Sequence, residues 1–453
     1  MRNTCLSTTS KMNNLIMISL DCVRREAIRC YHSSFPSYFH NEIPFARLRG
    51  MGKLKRFYAP IIDPIIKRFI KPGTLHIDRI ATDGILFSQA VSQAPYTPAS
   101  HASIFTGLNP FNHGIRQFIG FKINPKAMTL AERLKRDGFQ TGGFVGSNAM
   151  GEIYGLHRGF DIYDSDSNQS IGKVGNLKLF RRDHKEVTEK ALQWMSKTDG
   201  RFFLFVHYFD VHETSEHPIT YQPLYQILKM KEVDQSVRRI TQFLIDKVLY
   251  DDTVIVILSD HGNDFGIHEP GHREYLYDTT LLVPLIIKAD RSFSGLRISR
   301  QVRLIDVMPT VLELLGLPID NSEDCEQMEG ISLLPLCRGQ YQEELPAYSE
   351  TCIELSDEQW EILKNSYMSL RFSGWKIIVD KINHKKSLYN LNTDPLECND
   401  VYMTNREMAE LLTHKLDNLL TQPAQTKDTM TEEEISMVKE SLRGLGYLDG
   451  EAG

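Results

Sequence analysis

An α/β fold with a large, mainly parallel central sheet flanked by helices is what this sequence predicts, followed by a small antiparallel subdomain. Three observations carry that expectation. Five short apolar runs read as strands buried on both faces. Amphipathic stretches alternate with them, which is the rhythm of strand, crossover helix, strand. After about residue 345 the rhythm changes to short strands separated by turn residues, the pattern of an antiparallel sheet.

The strands are read at 14–20, 141–147, 202–209, 253–259 and 283–288. Helical patterns fall at 127–138, closed by Gly138, at 184–197, and at 304–316, where Pro309 must lie near the first turn or kink the helix. Further strands are read at 371–380 and 387–391, and helices at 408–420 and 431–442, the last with Thr431 and Glu434 as a capping box. The division expected is a catalytic unit over 1–345 and a C-terminal α+β unit with a helical tail over 346–453. An insert at about 32–73 breaks the rhythm. Arg47, Arg49, Lys53, Lys55, Arg56, Lys67, Arg68 and Lys71 face only Glu42 and Asp63 there, beside an isoleucine-rich stretch around Phe69. It reads as a surface excursion or lid, with peripheral contact to an acidic surface as the sharper reading.

The 453 residues carry a formal net charge of −6, too mild to point to nucleic acid as a partner. Seven scattered cysteines, an odd count with no CxxC pair, read as reduced thiols. The polar first residues lack the apolar core of a signal peptide, and no run is long enough to span a membrane. Together these lead to the expectation of a cytoplasmic protein without integral membrane association. The oligomeric state stays open.

In a mainly parallel sheet, chemistry gathers beyond the C-terminal ends of the strands. Asp21 follows the run 14–20 directly, and Asp260 and His261 follow 253–259. Two carboxylates and an imidazole at strand ends suit one divalent cation, with Zn²⁺ or Mn²⁺ favoured by the histidine and Ca²⁺ or Mg²⁺ possible. Thr97, at the start of an expected helix, is placed where the helix dipole favours anions. Touching the cation, its hydroxyl would become a nucleophile. Helix capping is the bland alternative for both Thr97 and Asp21. His207, His212, His268 and His272 fall just after strands or beside the acid pair, positions suited to holding anionic oxygens and protonating a leaving group.

These strings occur in the order found in sulfatase-like hydrolases. S-L-D-C-V-R-R-E-A-I-R-C-Y resembles that family's opening metal-binding segment, and T-P-A-S-H-A-S-I-F-T-G its nucleophile segment. I-L-S-D-H-G, R-L-I-D-V-M-P-T-V-L-E-L-L-G and L-Y-N-L-N-T-D-P-L-E follow. The resemblance, to the alkaline-phosphatase-like superfamily, implies Asp21, Asp260 and His261 as metal ligands with Thr97 as ligand and nucleophile. It implies His101, His212 and His272 in catalytic positions, and Arg24, His113 and His207 around the ester. The chain departs from the family pattern at three places. Thr97 stands where sulfatases oxidise a cysteine or serine to formylglycine; its Cβ methyl bars an aldehyde, so no formylglycine is expected. His101 replaces the supporting arginine, and Cys22 replaces a second acid. The expected function is therefore a metal-dependent hydrolase or transferase of phosphate esters or diesters with an anionic ester substrate. A sulfuric ester hydrolase and a catalytically inactive anion-binding relative are the alternatives.

Overall fold

A computed structural model describes residues 12–34, 72–117, 119–165, 170–174, 177–212, 222–268, 275–319, 327–340, 343–353, 356–357, 360–361, 365–421 and 429–444. Most of the basic insert, and His272 with it, lie outside the described residues.

The central sheet has eight strands: β1 (Asn14–Leu20), β2 (Ile85–Val91), β3 (Gln140–Val145), β4 (Ile162–Asp164), β5 (Phe202–Tyr208), β6 (Thr253–Ser259), β7 (Leu282–Lys288) and β8 (Leu296–Arg303). Their spatial order is β8-β2-β7-β6-β1-β5-β3-β4. All pairings are parallel except those of β7, which runs against both β2 and β6. The strand period of two splits the core. Leu15, Met17, Phe203, Phe205, Val254 and Val256 pack on one face, and Ile16, Ile18, Leu204, Val206, Ile255 and Ile257 on the other. Helix α1 (Leu75–Thr82) and the long α4 (Gln222–Asp246) cover the second face, and α2 (Thr97–Thr106) and α3 (Leu130–Arg136) the first. The first turn of α3 is fixed by a Thr129–Glu132 capping box that the sequence reading overlooked.

The stretch 304–316 is a 3-10 turn at Leu304–Asp306 followed by an α-helix at Val307–Leu314. Pro309 lies in that helix's first turn, where its missing N–H costs nothing. The stretch 371–380 is not one strand. Ser373 and Gly374 take positive φ (54° and 74°), so the chain reverses there between Asn365–Phe372 and Trp375–Asp380. These strands join Ala347–Ile353 and Lys385–Asn390 in a four-stranded antiparallel sheet backed by the helix Arg406–Leu420. The last helix, Glu432–Gly444, docks back on the large lobe: Met430 and Val438 enter its core, Lys122 pairs with Glu434 at 2.7 Å, and Thr431 and Glu434 form the expected capping box. No helix of the described residues is long and apolar enough to cross a membrane.

Candidate active site

Strands β1, β5 and β6 are adjacent, with Leu20 in register with both Tyr208 and Ser259. Their C-terminal ends therefore deliver Asp21 and the pair Asp260–His261 to one place, and all three side chains are fully buried. One ligand atom from each lies within 4.8 Å of the others. Helix α2 points its N-terminus at this group and is stitched to it by Ser100, whose Oγ donates to the Asp260 carbonyl at 2.7 Å. Thr97 Oγ1 donates to Asp21 Oδ2 at 3.3 Å and lies 3.3 Å from His261 Nε2, so its hydroxyl faces the acid group instead of capping its own helix. At the other end of α2, Gly107 takes φ +67°, the left-handed stop that glycine favours.

The electrostatics are those of a cation site. Asp21 Oδ1 and Asp260 Oδ2 are buried and accept no hydrogen bond. Burying a carboxylate oxygen without a partner costs several kcal/mol, about the scale at which a site must bind something or neutralise. Burial pushes the Asp21 carboxyl up to about 6, although His261, the Thr97 hydroxyl and Arg181 all pull it down. His261 Nδ1 lies 3.1 Å from the Gly262 carbonyl, which only an N–H can satisfy, and its Nε2 faces Asp21, Asp260 and Thr97. Orphaned acid oxygens and an inward-facing imidazole nitrogen fit a divalent cation. Gly262 permits the turn that follows: a Cβ there would lie 2.4 Å from the Thr279 carbonyl.

The histidines divide. His207 places Nε2 3.0 Å from Asp21 Oδ2 and is held neutral by burial, at about 4. It orients the acid from beneath. His101, also lowered to about 4 by burial, uses both nitrogens: Nδ1 lies 2.8 Å from the Thr97 carbonyl and Nε2 2.8 Å from Ser19 Oγ. It sets the backbone of the residue it was expected to assist in catalysis. His113 contacts Ser103 Oγ (3.0 Å) and the Ile115 amide (3.2 Å), neither of which belongs to the acid group. His212 stacks on Phe209 at 4.5 Å, with the Arg181 guanidinium 5.3 Å from the same ring. Arg24 bonds Glu26, packs its stem on Gly262, and lines a cavity of about 690 Å³ on the Thr279 side. Cys22 takes φ +61° and turns its thiol to the Gly262 carbonyl, while its amide donates to Asp260 Oδ1 at 3.1 Å. Its backbone, not its side chain, serves the site. Cys22, Cys30, Cys337, Cys352 and Cys398 form no disulfide among the described residues.

Sequence reasoning missed Ser19, Ser100 and Arg181 as parts of this centre. Ser19 carried a signal, since it is a lone hydroxyl inside a buried apolar strand. Arg181 carried none.

The family model for sulfatases matches residues 63–317, more than half of the chain. The chain belongs to the sulfatase family. A second match, to the C-terminal part of N-sulphoglucosamine sulphohydrolases, covers 266–426. Human arylsulfatase K is 27% identical over 196 residues, 42% of this chain and 35% of that protein. The zebrafish (Danio rerio) arylsulfatase K is 23% identical over 293 residues, 62% and 54% of the two. Human N-sulphoglucosamine sulphohydrolase is 24% identical over 320 residues, 58% and 61%. The chain thus spans about a third to three fifths of these relatives. Among solved structures, one in complex with its substrate D-glucosamine-2-N,6-O-disulfate has TM-score 0.66 at 17% identity, covering 91% of this chain and 98% of that one. The phosphonate monoester hydrolase of Agrobacterium radiobacter has TM-score 0.63 at 18% identity, covering 93% and 98%. These likenesses share the sulfatase fold with this chain.

Proposed function

We propose that this sulfatase-family chain is a metal-dependent hydrolase of anionic esters, with a sulfate ester as its first candidate substrate. The observation that carries the reading is the buried Asp21–Asp260–His261 group with the Thr97 hydroxyl against it. Sulfate moves ahead of phosphate because the family match and the named relatives are sulfatases and a sulphohydrolase. A divalent cation held by Asp21, Asp260 and His261, with Thr97 Oγ1 as a fourth donor, would acidify a neighbouring hydroxyl and offset charge on ester oxygens. Zn²⁺ or Mn²⁺ suits this carboxylate–imidazole donor set.

The chain's own residues would divide the remaining work. His207 holds Asp21 by its Nε2–H. His101 and Ser19 fix the Thr97 backbone. The N-terminus of α2 directs amides at an anion. His212 and His272 are the candidates to give a proton to the leaving oxygen.

A second reading rests on Thr97 itself. A plain hydroxyl shared between Asp21 and His261 suits nucleophilic attack on phosphorus: the Oγ1–P bond forms with loss of the Thr97 proton to solvent, the ester bond breaks as the leaving oxygen takes a proton from His212 or His272, and water then cleaves the Oγ1–P bond to free Thr97. A threonine sulfate would lack the hemiacetal route for release, so sulfate cleavage here is better served by water attacking directly, with Thr97 as an orienting hydroxyl. Paired nitrophenyl sulfate and phosphate assays on the wild type and Thr97→Ala separate the two. Sulfate turnover that Thr97→Ala reduces but does not abolish supports direct attack. Phosphate turnover abolished by Thr97→Ala supports the covalent route. Stoichiometric cation binding with turnover of neither would favour an anion-binding relative.

A further inference from the structure

We propose that His268 is a positioning residue for the candidate active site: as an imidazolium it clamps the segment leaving His261 to the loop after the C-terminal sheet. The proposal rests on reading His261 as a cation ligand.

The protonation state follows from the partners. His268 Nδ1 lies 2.7 Å from Asp264 Oδ1, and its Nε2 lies 2.7 Å from the Leu396 carbonyl. A carbonyl only accepts. Asp264 accepts two further hydrogen bonds, as an ionised carboxylate does: Thr279 Oγ1 donates to Oδ1 at 2.5 Å and the His268 amide donates to Oδ2 at 2.7 Å. Both ring nitrogens of His268 must therefore carry hydrogen. The ring lies 3.7 Å from Tyr277 at an interplanar angle of 12°, a stack that suits a cation on an aromatic face. Burial alone would lower His268, and Asp264, Glu397 and the Leu396 carbonyl more than offset it.

The clamp reaches His261 by a short route. Asp264 is three residues along, and ties the segment to Thr279; Gly262, next to His261, donates to the Thr280 carbonyl at 2.7 Å. On the far side, Leu396 precedes Glu397, which faces Lys376 at 2.9 Å and accepts the Asp278 amide. The groups around His268 are thus Asp264 from its own segment, Tyr277 from the returning strap, and Glu397 from the C-terminal loop, with Lys376, Asp278 and Arg371 behind it. Since the proton is held more tightly in the folded state, the clamp is complete below the ordinary histidine value and is lost as pH rises through the raised one.

Histidine-¹⁵N NMR of the full chain tests the protonation directly. At pH 7.5, about one unit above the ordinary value, both ring nitrogens of His268 should show imidazolium shifts; a neutral tautomer would overturn the proposal. Calorimetric Mn²⁺ titration tests the positioning role. His268→Phe keeps the stack and removes both donors, and should weaken Mn²⁺ binding about tenfold, the scale of lost outer-shell support. His268→Gln keeps one donor and should recover part of that loss. On a nitrophenyl ester, kcat should fall with KM unchanged, and the alkaline decline of the wild type should vanish in His268→Phe. A folded Phe variant that binds Mn²⁺ as the wild type does would overturn the clamp alone. A wild type that binds no Mn²⁺ would overturn the reading of the centre, and the positioning role with it.

Discussion

Two buried clusters of charge in this fold are built oppositely. At the strand ends, Asp21 and Asp260 are fully buried and, among the described residues, only histidine rings stand within ion-pair distance of them, while burial raises Asp21 to about 6. At the junction with the C-terminal sheet, Asp278 and Glu397 are also buried, but Lys376 reaches both, at 2.5 and 2.9 Å, and Arg371 reaches Asp278 at 3.2 Å. Burial alone would raise Asp278; Arg371, Lys376 and Arg25 overcome it and hold the carboxyl at about 2. A buried acid answered by protein cations is structural. A buried acid left short of them marks a place for something the chain does not supply.

The largest effect should come from the strand ends. Asp260→Ala removes one of two acid ligands and should weaken Mn²⁺ binding by at least about a hundredfold while leaving thermal stability in the absence of metal unchanged or raised. Calorimetry and a melt with chelator check both halves; a clear loss of metal-free stability would place Asp260 with the structural acids. The converse change is Lys376→Met. It leaves Asp278 and Glu397 facing each other and should cost about 3–5 kcal/mol in urea unfolding, with metal content per folded molecule retained. Loss of metal without loss of stability would break the comparison.

Acidification sharpens it further. Asp278 has a folded value near 2, below the ordinary 3.8, so its contribution is present above about pH 4 and is lost as pH falls through 2. His113, lowered to about 3 by burial, acts in the same direction: stability falls as pH drops below the ordinary 6.5, because the unfolded ring takes a proton that the folded ring refuses. Stability of His113→Asn should be flatter than wild type between about pH 6 and 4, measured by denaturant titration at each pH.

The smallest effect is expected beneath the site. Ser19→Ala removes the partner of His101 Nε2 and should cost about 1–3 kcal/mol of stability with little change in Mn²⁺ affinity. A larger fall in turnover than in stability would show that fixing the Thr97 backbone is its main task.

The contrast also explains what was legible in the sequence. Asp21, Asp260 and His261 announced themselves because each ends an apolar run, and a strand buried on both faces leaves a terminal polar residue only the sheet edge to occupy. The parallel sheet was legible for the same reason, and β1 and β6 kept the bounds read for them. The junction was invisible. Asp278, Arg371, Lys376 and Glu397 lie up to 119 residues apart, and no local pattern says that they meet. The hairpin at Ser373–Gly374 was hidden by a run of apolar residues on either side of a two-residue turn. For the histidines, sequence marked the neighbourhood but not the direction of each ring: His207 turned to Asp21, His101 bonds Ser19 and the Thr97 carbonyl with its Nδ1 3.6 Å from Asp260 Oδ2, and His113 faces a hydroxyl and a backbone amide.

The most direct test of the central claim is cation binding by the purified chain, read by calorimetry with Mn²⁺ on the wild type beside Asp21→Asn and Thr97→Ala. One ion per chain is expected, lost in Asp21→Asn and weakened in Thr97→Ala. Binding unchanged in Asp21→Asn would contradict the claim that the strand-end acids form the metal centre, and with it the ester chemistry assigned to them.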